Sequence, residues 1–329
     1  MAAAPARLQL ALAPTPLLKL DRFSRRLGVE LFVKRDDLTG LLESGNKVRK
    51  LEFLVGEALQ QGADTLITCG ALDSNGCRAV AAVAARLGLH ALLAVKGARP
   101  AAYDGNLLLG RLLGAEVRYC TDAEFARAGE LMDALAALVR ERGGRPYLIP
   151  ESGANAVGAL GYLECAAELV EQIRHGAPRF DAVVISVFSG ASQAGLLMGK
   201  QLAGLPGEVV GVPVASSAVA RESITRTMTA AIRRFGFSIE APRTIHLLDG
   251  YQGGGRGDTA DAELELIVRL AREEGLLLDP VYTAKGFRGL VETLSRDPKA
   301  LGQRVCFIHT GGLYSLFPFR ERLSRLIDR

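Results

Sequence analysis

Three cations lie close together in the segment Ser44-Gly45-Asn46-Lys47-Val48-Arg49-Lys50-Leu51-Glu52, where a small-residue turn leads into a helical pattern. Lys47, Arg49 and Lys50 would occupy the first helical turn, where the helix dipole favours anions. A sequence that breaks a local rule often does so at a functional site. Neighbouring cations also lower the pKa of a lysine and make its amine more nucleophilic. We therefore predict that Lys47 is an amine nucleophile that holds a carbonyl cofactor.

A second segment of interest is an apolar, strand-like run that ends in small residues. Residues 183–188 lead into Ser189-Gly190-Ala191-Ser192, after which a helical pattern begins. Such a turn presents backbone N–H groups to a phosphate, and Ser189 and Ser192 can add hydroxyl donors. The segment is neither a P-loop nor a dinucleotide-binding fingerprint. A plain strand-to-helix turn capped by Ser192 is the alternative interpretation.

The turn Leu72-Asp73-Ser74-Asn75-Gly76-Cys77-Arg78 also lies between a predicted strand and a predicted helix. Ser74 or Asn75 could simply cap that helix. In the functional interpretation, Ser74 and nearby backbone N–H groups bind a carboxylate, and Asn75 forms a hydrogen bond to a cofactor oxygen. Both interpretations stay open from this turn alone.

Two C-terminal segments carry further candidates. Tyr282, at a turn before a helical pattern, could act as an acid or base if its pKa is lowered, or could be a half-buried aromatic with a bonded hydroxyl. His309 could titrate or could be structural. Thr310 and the two glycines after it suit a close approach to a flat ligand.

The composition excludes several classes of protein. The chain has 329 residues, 49% of them hydrophobic and 23% charged, which is typical of a soluble globular protein large enough for two lobes. The net charge of +4 comes without a basic run, so we expect no nucleic-acid partner. The N-terminus does not resemble a signal peptide and no apolar run is long enough to span a bilayer. We therefore expect a cytoplasmic protein with no membrane partner.

The metal-binding residue types are scattered. The four histidines show no ligand spacing, so we expect no metal site. The five cysteines match no zinc pattern, and we expect them to be buried and reduced. The cysteines are Cys69, Cys77, Cys120, Cys165 and Cys306.

Short apolar runs alternate with helical patterns along the chain. Predicted strands are Glu30–Lys34, Thr65–Cys69, Ala91–Lys96, Glu116–Cys120, Tyr147–Pro150, Ala182–Phe188, Glu208–Val212, Thr244–Leu248 and Arg304–His309, and predicted helices include Asn75–Leu87, Asp122–Arg142, Gly158–Arg174 and Ser192–Leu202. This alternation predicts an α/β fold with largely parallel sheets flanked by helices. Ligands then bind at the carboxyl ends of the strands.

A domain boundary is predicted where glycines and small residues are dense, around Gly153-Ala154-Asn155-Ala156-Val157-Gly158. We expect the chain to enter one lobe, build a second and return to the first. Residues 1–50 and 160–329 would form a large cofactor-binding domain, and residues 51–159 a small domain.

Taken together, these segments resemble one family. The chain is similar to pyridoxal-phosphate enzymes of fold type II, and within them to the D-cysteine desulfhydrase and 1-aminocyclopropane-1-carboxylate deaminase family. The resemblance runs from about Pro14 to near Phe319. It depends on several motifs in a fixed order, namely Val33-Lys34-Arg35-Asp36-Asp37-Leu38, Gly45-Asn46-Lys47-Val48-Arg49-Lys50-Leu51-Glu52, Asp279-Pro280-Val281-Tyr282 and His309-Thr310-Gly311-Gly312. It implies a two-lobed fold, a homodimer, pyridoxal 5′-phosphate as cofactor and a small amino acid as substrate.

The resemblance also implies a role for each site residue. Lys47 would hold the cofactor as a Schiff base, and Ser74 would bind the substrate carboxylate and assist proton transfer beside Tyr282. The remaining cofactor contacts would come from Asn46, from Asn75 at the ring 3′-oxygen, from Ser189, Gly190, Ala191 and Ser192 at the phosphate, from Thr283 at the pyridine nitrogen, and from Thr310. The substrate would meet Ser74, Asn75, Gly76, Arg256 and Tyr282.

Two threonines favour one activity within the family. Deaminases of this family resemble one another in having Glu at the position of Thr283 and Leu at that of Thr310, whereas the desulfhydrases resemble this chain. The implied reaction is loss of a β-substituent, giving pyruvate and ammonia. A β-replacement synthase, cyclopropane ring opening and, from another class, a cofactor-free binding protein are the alternatives.

The chain departs from the family pattern at three positions. Gly76 and Asp73 stand where bulkier residues, often Gln, are usual, and Arg256 aligns near a second active-site tyrosine. The pocket would then be wider and more cationic. We hypothesise that Arg256 binds a second anion on the substrate, such as the sulfonate of cysteate, because a guanidinium binds oxyanions in a bidentate manner. A solvated loop arginine is the alternative.

Overall fold

Two β-sheets organise the chain, whose computed structural model describes residues 6–40, 42 and 44–328. The strands are Leu17–Lys19 (β1), Glu30–Lys34 (β2), Thr65–Ala71 (β3), His90–Lys96 (β4), Glu116–Cys120 (β5), Pro146–Ile149 (β6), Ala182–Val187 (β7), Glu208–Pro213 (β8) and Arg304–Ile308 (β9). The α-helices are Asp21–Leu27 (α1), Asn46–Gln60 (α2), Asn75–Leu87 (α3), Gly105–Leu112 (α4), Asp122–Ala126 (α5), Ala128–Glu141 (α6), Ala156–Arg174 (α7), Ala191–Leu202 (α8), Ser217–Phe235 (α9), Asp261–Glu274 (α10), Thr283–Arg296 (α11) and Arg320–Ile327 (α12). Short 3₁₀ helices cover Asp36–Leu38, Glu151–Gly153 and Leu313–Phe319.

The larger sheet has the strand order β1-β2-β9-β7-β8, and the smaller has the order β5-β4-β3-β6. All pairs are parallel except β1 with β2. Parallel neighbours need crossover connections, and the helices that make them bury both faces of each sheet. The central strands β7 and β9 are accordingly almost wholly buried and apolar. The predicted α/β fold with mostly parallel sheets is confirmed.

The carboxyl ends of three strands lead directly into the segments that the sequence analysis singled out. β3 precedes α3, β7 precedes α8, and β9 runs into Thr310-Gly311-Gly312. β7 and β9 are parallel neighbours in the larger sheet, so their carboxyl ends share an edge, whereas β3 ends at the carboxyl edge of the smaller sheet. α3 and α8 begin at these edges, and their N-termini point towards them. The fold therefore gathers the candidate residues where α/β proteins bind ligands.

One predicted strand is wrong. Thr244–Leu248 makes only an isolated bridge to β8, with hydrogen bonds from Gly211 N to His246 O and from Leu248 N to Gly211 O. The next donor along β8 would be Pro213, which has no N–H. Pairing therefore stops after one bridge.

Other predicted boundaries need smaller changes. The predicted helix Asp122–Arg142 is divided at Arg127, where the backbone leaves the helical region (φ −111°, ψ 44°). The short antiparallel strand β1 was not predicted. The predicted domain boundaries after residues 50 and 159 fall inside α2 and α7, and the division into domains stays a prediction.

The state of the cysteines agrees with the expectation from the sequence. All five cysteines are buried and free. Within residues 6–40, 42 and 44–328, no helix has the length and apolarity needed to cross a bilayer. The same residues contain no cluster of three or more His, Cys, Asp or Glu side chains arranged to hold a metal ion.

Candidate active site

Lys47 lies in the first turn of α2, which two glycine contacts fix against the end of β9. Gly45, with φ +92°, precedes the helix, and a Cβ atom there would lie only 2.6 Å from Thr310 O. Asn46 N donates to the same carbonyl oxygen at 3.0 Å. A side chain at Gly311 would likewise collide with Gly45 Cα, at 2.7 Å. Only glycine permits this approach, which sets the position of Lys47.

Arg49 lies away from Lys47, in a buried cluster of charges. Residues two apart on a helix do not face each other. Arg49 Nε and Nη2 each donate to Asp36 at 2.8 Å, and Nη1 donates to Glu168 at 2.9 Å. Because these carboxylates neutralise its charge, Arg49 is not among the groups that most affect the pKa of Lys47. The prediction that all three cations act on one another is wrong for Arg49.

The amine of Lys47 is nonetheless shifted towards its neutral form. Burial is the main cause that lowers the pKa of Lys47 to about 8. The charges of Arg78 and Arg256 act in the same direction, and the charge of Asp279 opposes them. Lys47 Nζ donates a hydrogen bond to Asn46 Oδ1 at 2.8 Å. A neutral amine attacks a carbonyl, whereas an ammonium cannot. The burial of Lys47 thus supports its predicted role as a nucleophile.

This pKa predicts how covalent loading depends on pH. Below pH 8 the neutral fraction of Lys47 falls about tenfold per pH unit, so the rate at which cofactor-free protein attaches pyridoxal phosphate should fall equally steeply. Above pH 8 the rate should level off. Borohydride trapping at timed intervals, followed by peptide mass spectrometry, measures this rate. A rate that still rose steeply to about pH 10, as for an ordinary lysine, would contradict the assignment.

The predicted phosphate site is an uncapped helix N-terminus. Gly190 precedes α8 in the left-handed conformation (φ +78°), and no side chain caps the helix. Ser189, Gly190 and Ser192 line the same cavity as Lys47, whereas Ala191 is buried behind them. The backbone N–H groups and the dipole of this turn can bind a phosphate dianion.

Asn46 links the two ends of the cavity. Its Oδ1 accepts the bond from Lys47 Nζ, and its Nδ2 lies 3.4 Å from Ser192 Oγ. The predicted role of Asn46 in cofactor binding therefore has a geometric basis. Its amide fixes the distance between the lysine and the turn before α8.

The turn before α3 places Asn75 on the cavity and Ser74 at its border. Asn75 Oδ1 accepts from Asn106 Nδ2 at 3.0 Å, which leaves the Asn75 amide nitrogen, 3.4 Å from Ser315 Oγ, as the donor towards a ligand. Ser74 caps α3 by accepting from Cys77 N at 3.1 Å. Its own hydroxyl proton has no acceptor among the described residues and can be donated to a carboxylate.

Gly76 leaves open the space between Lys47 and Ser74. A Cβ atom at Gly76 would lie 3.5 Å from Ser74 Oγ and 3.8 Å from Lys47 Cε. A longer side chain at this position would fill that gap. The predicted widening of the pocket at Gly76 is consistent with these distances.

Arg256 links Tyr282, which lines the cavity, to Asp73 in the turn before α3, and does not itself line the cavity. Its Nε donates to Tyr282 Oη at 2.5 Å and its Nη2 donates to Asp73 Oδ1 at 2.8 Å. The guanidinium lies 5.9 Å from the ring centre of Phe188 and 5.3 Å from that of Tyr282. Arg256 is thus a half-buried, paired cation and not a solvated loop residue.

The hydroxyl of Tyr282 is a hydrogen-bond donor. Burial raises the pKa of Tyr282, although the charge of Arg256 opposes that shift. Tyr282 Oη accepts from Arg256, and its own proton has no acceptor among the described residues. A phenol whose pKa is raised donates a hydrogen bond but does not act as a base at neutral pH. This geometry favours the acid role of Tyr282 over the base role.

Thr283 does not line the cavity. Its hydroxyl donates to Asp279 Oδ1 at 2.7 Å and accepts from Asp279 N at 2.7 Å. The carboxylate of Asp279 also accepts from the backbone N–H of Val281 and Tyr282, and so begins α11. Because Thr283 donates its hydroxyl proton to Asp279, that proton is not available to a pyridine nitrogen. The role of Thr283 therefore stays a prediction.

The segment after β9 separates a structural residue from two site residues. His309 Nε2 lies 2.7 Å from Leu277 O, and its Nδ1 accepts from Gly311 N at 3.1 Å. Both ring nitrogens are therefore used in holding this turn. Thr310 and Gly311 line the cavity beside Lys47.

The cavity measures about 550 Å³, including its open mouth. Several of its residues were not predicted, namely Ser44, Lys50, Ser152, Ser186, Phe188 and Gln193. Five of them lie within three positions of a predicted site residue, in segments that the sequence analysis had singled out, but their residue types carry no signal of their own. Ser152 reaches the cavity through the packing of a distant segment. Asp279 carried a usable signal, since an acidic residue before a helical pattern often caps its N-terminus.

The described residues fit pyridoxal phosphate. An amine whose pKa is lowered to about 8 lies at one end of the cavity for the aldehyde, and an uncapped helix N-terminus lies at the other for the phosphate. Between them, the Asn75 amide nitrogen is free to bond the ring oxygen. The two ends of the cavity thus suit the aldehyde and the phosphate of the cofactor.

Comparisons with known proteins agree with this geometry. A family model described as "Pyridoxal-phosphate dependent enzyme" matches residues 8–311. A D-cysteine desulfhydrase of Klebsiella pneumoniae is 40% identical over 322 residues, which are 96% of this chain and 97% of that protein. A putative 1-aminocyclopropane-1-carboxylate deaminase of Thermotoga maritima is 39% identical over 318 residues, 96% of this chain and 99% of that protein.

Solved structures show the same relationship. The crystal structure of an "ACC deaminase homologue" superimposes with a TM-score of 0.89 at 34% identity, and the match covers 98% of this chain and 96% of that one. Both sheets and the helices that begin at their carboxyl edges are thus shared over nearly the whole chain. With this architecture and this similarity over nearly its full length, the chain belongs to the pyridoxal-phosphate-dependent enzymes of fold type II.

Proposed function

We propose that the protein is a pyridoxal-phosphate-dependent lyase that removes a β-substituent from a small amino acid, as a D-cysteine desulfhydrase does. The products would be pyruvate, ammonia and the leaving group. The observation that carries the proposal is the buried amine of Lys47, with its pKa near 8, facing the uncapped N-terminus of α8 across one cavity. The full-length similarity to a D-cysteine desulfhydrase supports the substrate class.

The side chains divide the work of such a reaction. Bound pyridoxal phosphate withdraws electrons from the Cα atom of an attached amino acid, which makes its proton acidic. Lys47 holds the aldehyde end and, once displaced by the substrate amine, its neutral Nζ can accept the Cα proton. Ser74 and the N-terminus of α3 bind the substrate carboxylate. Tyr282 donates its hydroxyl hydrogen towards the substrate.

Thr310 supports desulfhydrase-like chemistry over cyclopropane ring opening. It lines the cavity where the resemblance places Leu in deaminases. Thr283, the other member of the pair, is engaged by Asp279. The putative deaminase of Thermotoga maritima is as similar as the desulfhydrase, so ring opening is the second activity to assay.

A substrate panel tests the proposal. We expect the purified enzyme to release pyruvate from D-cysteine and β-chloroalanine, with both enantiomers of each compound assayed. Production of 2-oxobutanoate from 1-aminocyclopropane-1-carboxylate without pyruvate from any β-substituted alanine would establish ring opening instead. Release of the leaving group without pyruvate, but with an added thiol incorporated, would indicate a β-replacement synthase. A protein with no visible band at about 410–430 nm would be a cofactor-free binding protein.

Arg256 tests whether the substrate carries a second anion, as in L-cysteate elimination. Its Nη1 has no hydrogen-bond partner among the described residues, although Nη2 is bound to Asp73. We expect Arg256→Ala to lower kcat/KM about tenfold more for L-cysteate than for D-cysteine, since one lost charge-assisted hydrogen bond is worth about 1.4 kcal/mol or more. Equal losses on both substrates would show that Arg256 only positions Tyr282.

Three further features of this proposal come from the sequence and from the family resemblance, and only the homodimer comes from the resemblance alone. They are a homodimer, a cytoplasmic location and the division into residues 1–50 plus 160–329 and 51–159. Size measurement in solution tests the first of these.

A further inference from the structure

A second lysine amine reaches the same cavity as Lys47, and the proposed reaction gives it no role. Lys50 lies one turn further along α2 and is 2% exposed. Its Nζ donates to Ser152 O at 3.2 Å. Among the described residues it has no carboxylate within ion-pair distance. A buried ammonium without a counter-ion is costly, so this amine is held neutral.

The surroundings of Lys50 leave its side chain little freedom. α7 packs directly on the backbone of α2 at Gly161. A Cβ atom at Gly161 would lie only 2.4 Å from Arg49 O and 2.7 Å from Lys50 N. A Cβ atom at Gly153 would lie 3.5 Å from both Cβ and Cδ of Lys50. The amine therefore stays between Ser152 and the cavity.

Ser152 is held in an unfavourable backbone conformation. With φ +61°, it is the single non-glycine residue with positive φ among residues 6–40, 42 and 44–328. Such strain persists where the surrounding structure requires it, and it is common at functional sites. Here it directs a carbonyl oxygen to Lys50, while Ser152 itself lines the cavity.

The charged groups around Lys50 are few. On its own helix, Lys47 lowers its pKa in addition to the effect of burial. Arg49 is neutralised by Asp36. Glu151, in the same 3₁₀ helix as Ser152, acts on Lys47 and Arg256 instead. Lys50 is thus a neutral amine whose only charged neighbour of consequence is the nucleophile.

We propose that Lys50 accepts the proton that the ammonium group of an incoming amino acid must lose before it can displace Lys47 from the cofactor. One N–H bond of the substrate breaks, its electron pair stays on the substrate nitrogen, and a new N–H bond forms on Lys50 Nζ. Lys50 returns the proton when ammonia leaves as ammonium. The inference rests on the proposed function, since it requires an amino-acid substrate at this site.

Proton counting on binding tests the role directly. D- and L-alanine have the substrate amine but no β-leaving group. Their binding to the cofactor-loaded enzyme is measured by calorimetry in buffers of different ionisation enthalpy. We expect Lys50→Gln to release about one more proton per site to the buffer than the wild type does. Its amide can still donate to Ser152 O but cannot accept a proton.

Two further variants complete the design. Lys50→Met, whose side chain cannot accept a proton, should release the same extra proton to the buffer when alanine binds. This variant replaces Lys50→Gln in the experiment if the glutamine variant does not fold. Lys200→Met, an exposed lysine of α8, should match the wild type. In Lys50→Gln we also expect kcat/KM to fall about 10²-fold or more, as for loss of a general base.

The outcomes separate this proposal from the proposed function. If alanine shifts the visible absorbance of every variant but the proton counts of wild type and Lys50 variants are equal, the role of Lys50 is overturned alone. If alanine leaves the absorbance of the wild type unchanged, the amino-acid substrate is overturned and the role of Lys50 with it. An extra proton in both Lys50 variants, but not in Lys200→Met, supports the role.

Discussion

Replacing Lys47 with Ala is expected to abolish both the visible cofactor band and turnover. In the proposed function, its Nζ supplies the covalent link to the cofactor and the base that accepts the Cα proton of the substrate. Loss of turnover should be about 10⁴-fold or more, the upper range for a positioned acid–base group. Absorbance spectroscopy measures the band, borohydride reduction measures the covalent link, and a pyruvate assay measures turnover.

Matched lysine variants make this prediction specific. Lys50→Ala should keep the visible band, because the covalent link does not use that amine. Lys200→Ala should keep both the band and the activity, since this side chain pairs with Glu208 at the surface. A band that survived in Lys47→Ala but disappeared in Lys50→Ala would show that the wrong nucleophile was assigned.

Replacing Asp36 with Ala is expected to lower the free energy of unfolding by about 3–5 kcal/mol, the range for breaking a buried ion pair. Asp36 is fully buried and accepts hydrogen bonds from Arg49, Tyr162 and Thr15. Burial by itself raises the pKa of Asp36, but the charge and hydrogen bonds of Arg49 outweigh it and hold the pKa below its ordinary value. Without Asp36, Arg49 keeps only Glu168 as a counter-ion.

Urea denaturation of the cofactor-free proteins at one pH measures this loss. Glu30, which forms surface ion pairs with Lys19 and Arg304, provides a matched control. Glu30→Gln should leave the free energy of unfolding nearly unchanged, because exposed ion pairs contribute little. Equal losses for Asp36→Ala and Glu30→Gln would mean that the buried cluster does not hold α2 in place.

The buried cluster also explains a feature that the sequence presents ambiguously. Lys47, Arg49 and Lys50 look alike in the printed sequence, as three cations at a helix start. In the fold they have different environments: Lys47 and Lys50 line one cavity, where Lys50 has no counter-ion, whereas Arg49 is neutralised by buried carboxylates. Which environment each receives depends on α7 and the segment of Asp36, far away along the chain.

Local patterns predicted most of the architecture. The alternation of apolar runs and helical periods placed eight of the nine observed strands, because side-chain periodicity is a property of short segments. The failure at Thr244–Leu248 depended on Pro213 in another strand, which no local pattern reveals. The turn after β7 was predicted for the same local reason, since small residues after a buried strand favour a phosphate-binding turn.

The candidate site was predicted less completely. Lys47, Asn75, Ser189 and Thr310 were found because each follows a recognisable turn or breaks a local rule. Ser152 was not found, since its left-handed backbone is usual for glycine and nothing in the sequence announces it. Lys50 was noticed as a charge but not as a cavity residue.

The sequence by itself determined the fold class and predicted the nucleophile and the phosphate-binding turn, because these depend on residue types within a few positions of one another. Only the tertiary structure decided the charges and the protonation states. Arg256 meets Asp73 across 183 positions, and Lys47 owes its lowered pKa mainly to burial. Desolvation and ion pairing depend on which distant segments pack together, and that packing is settled by the whole fold.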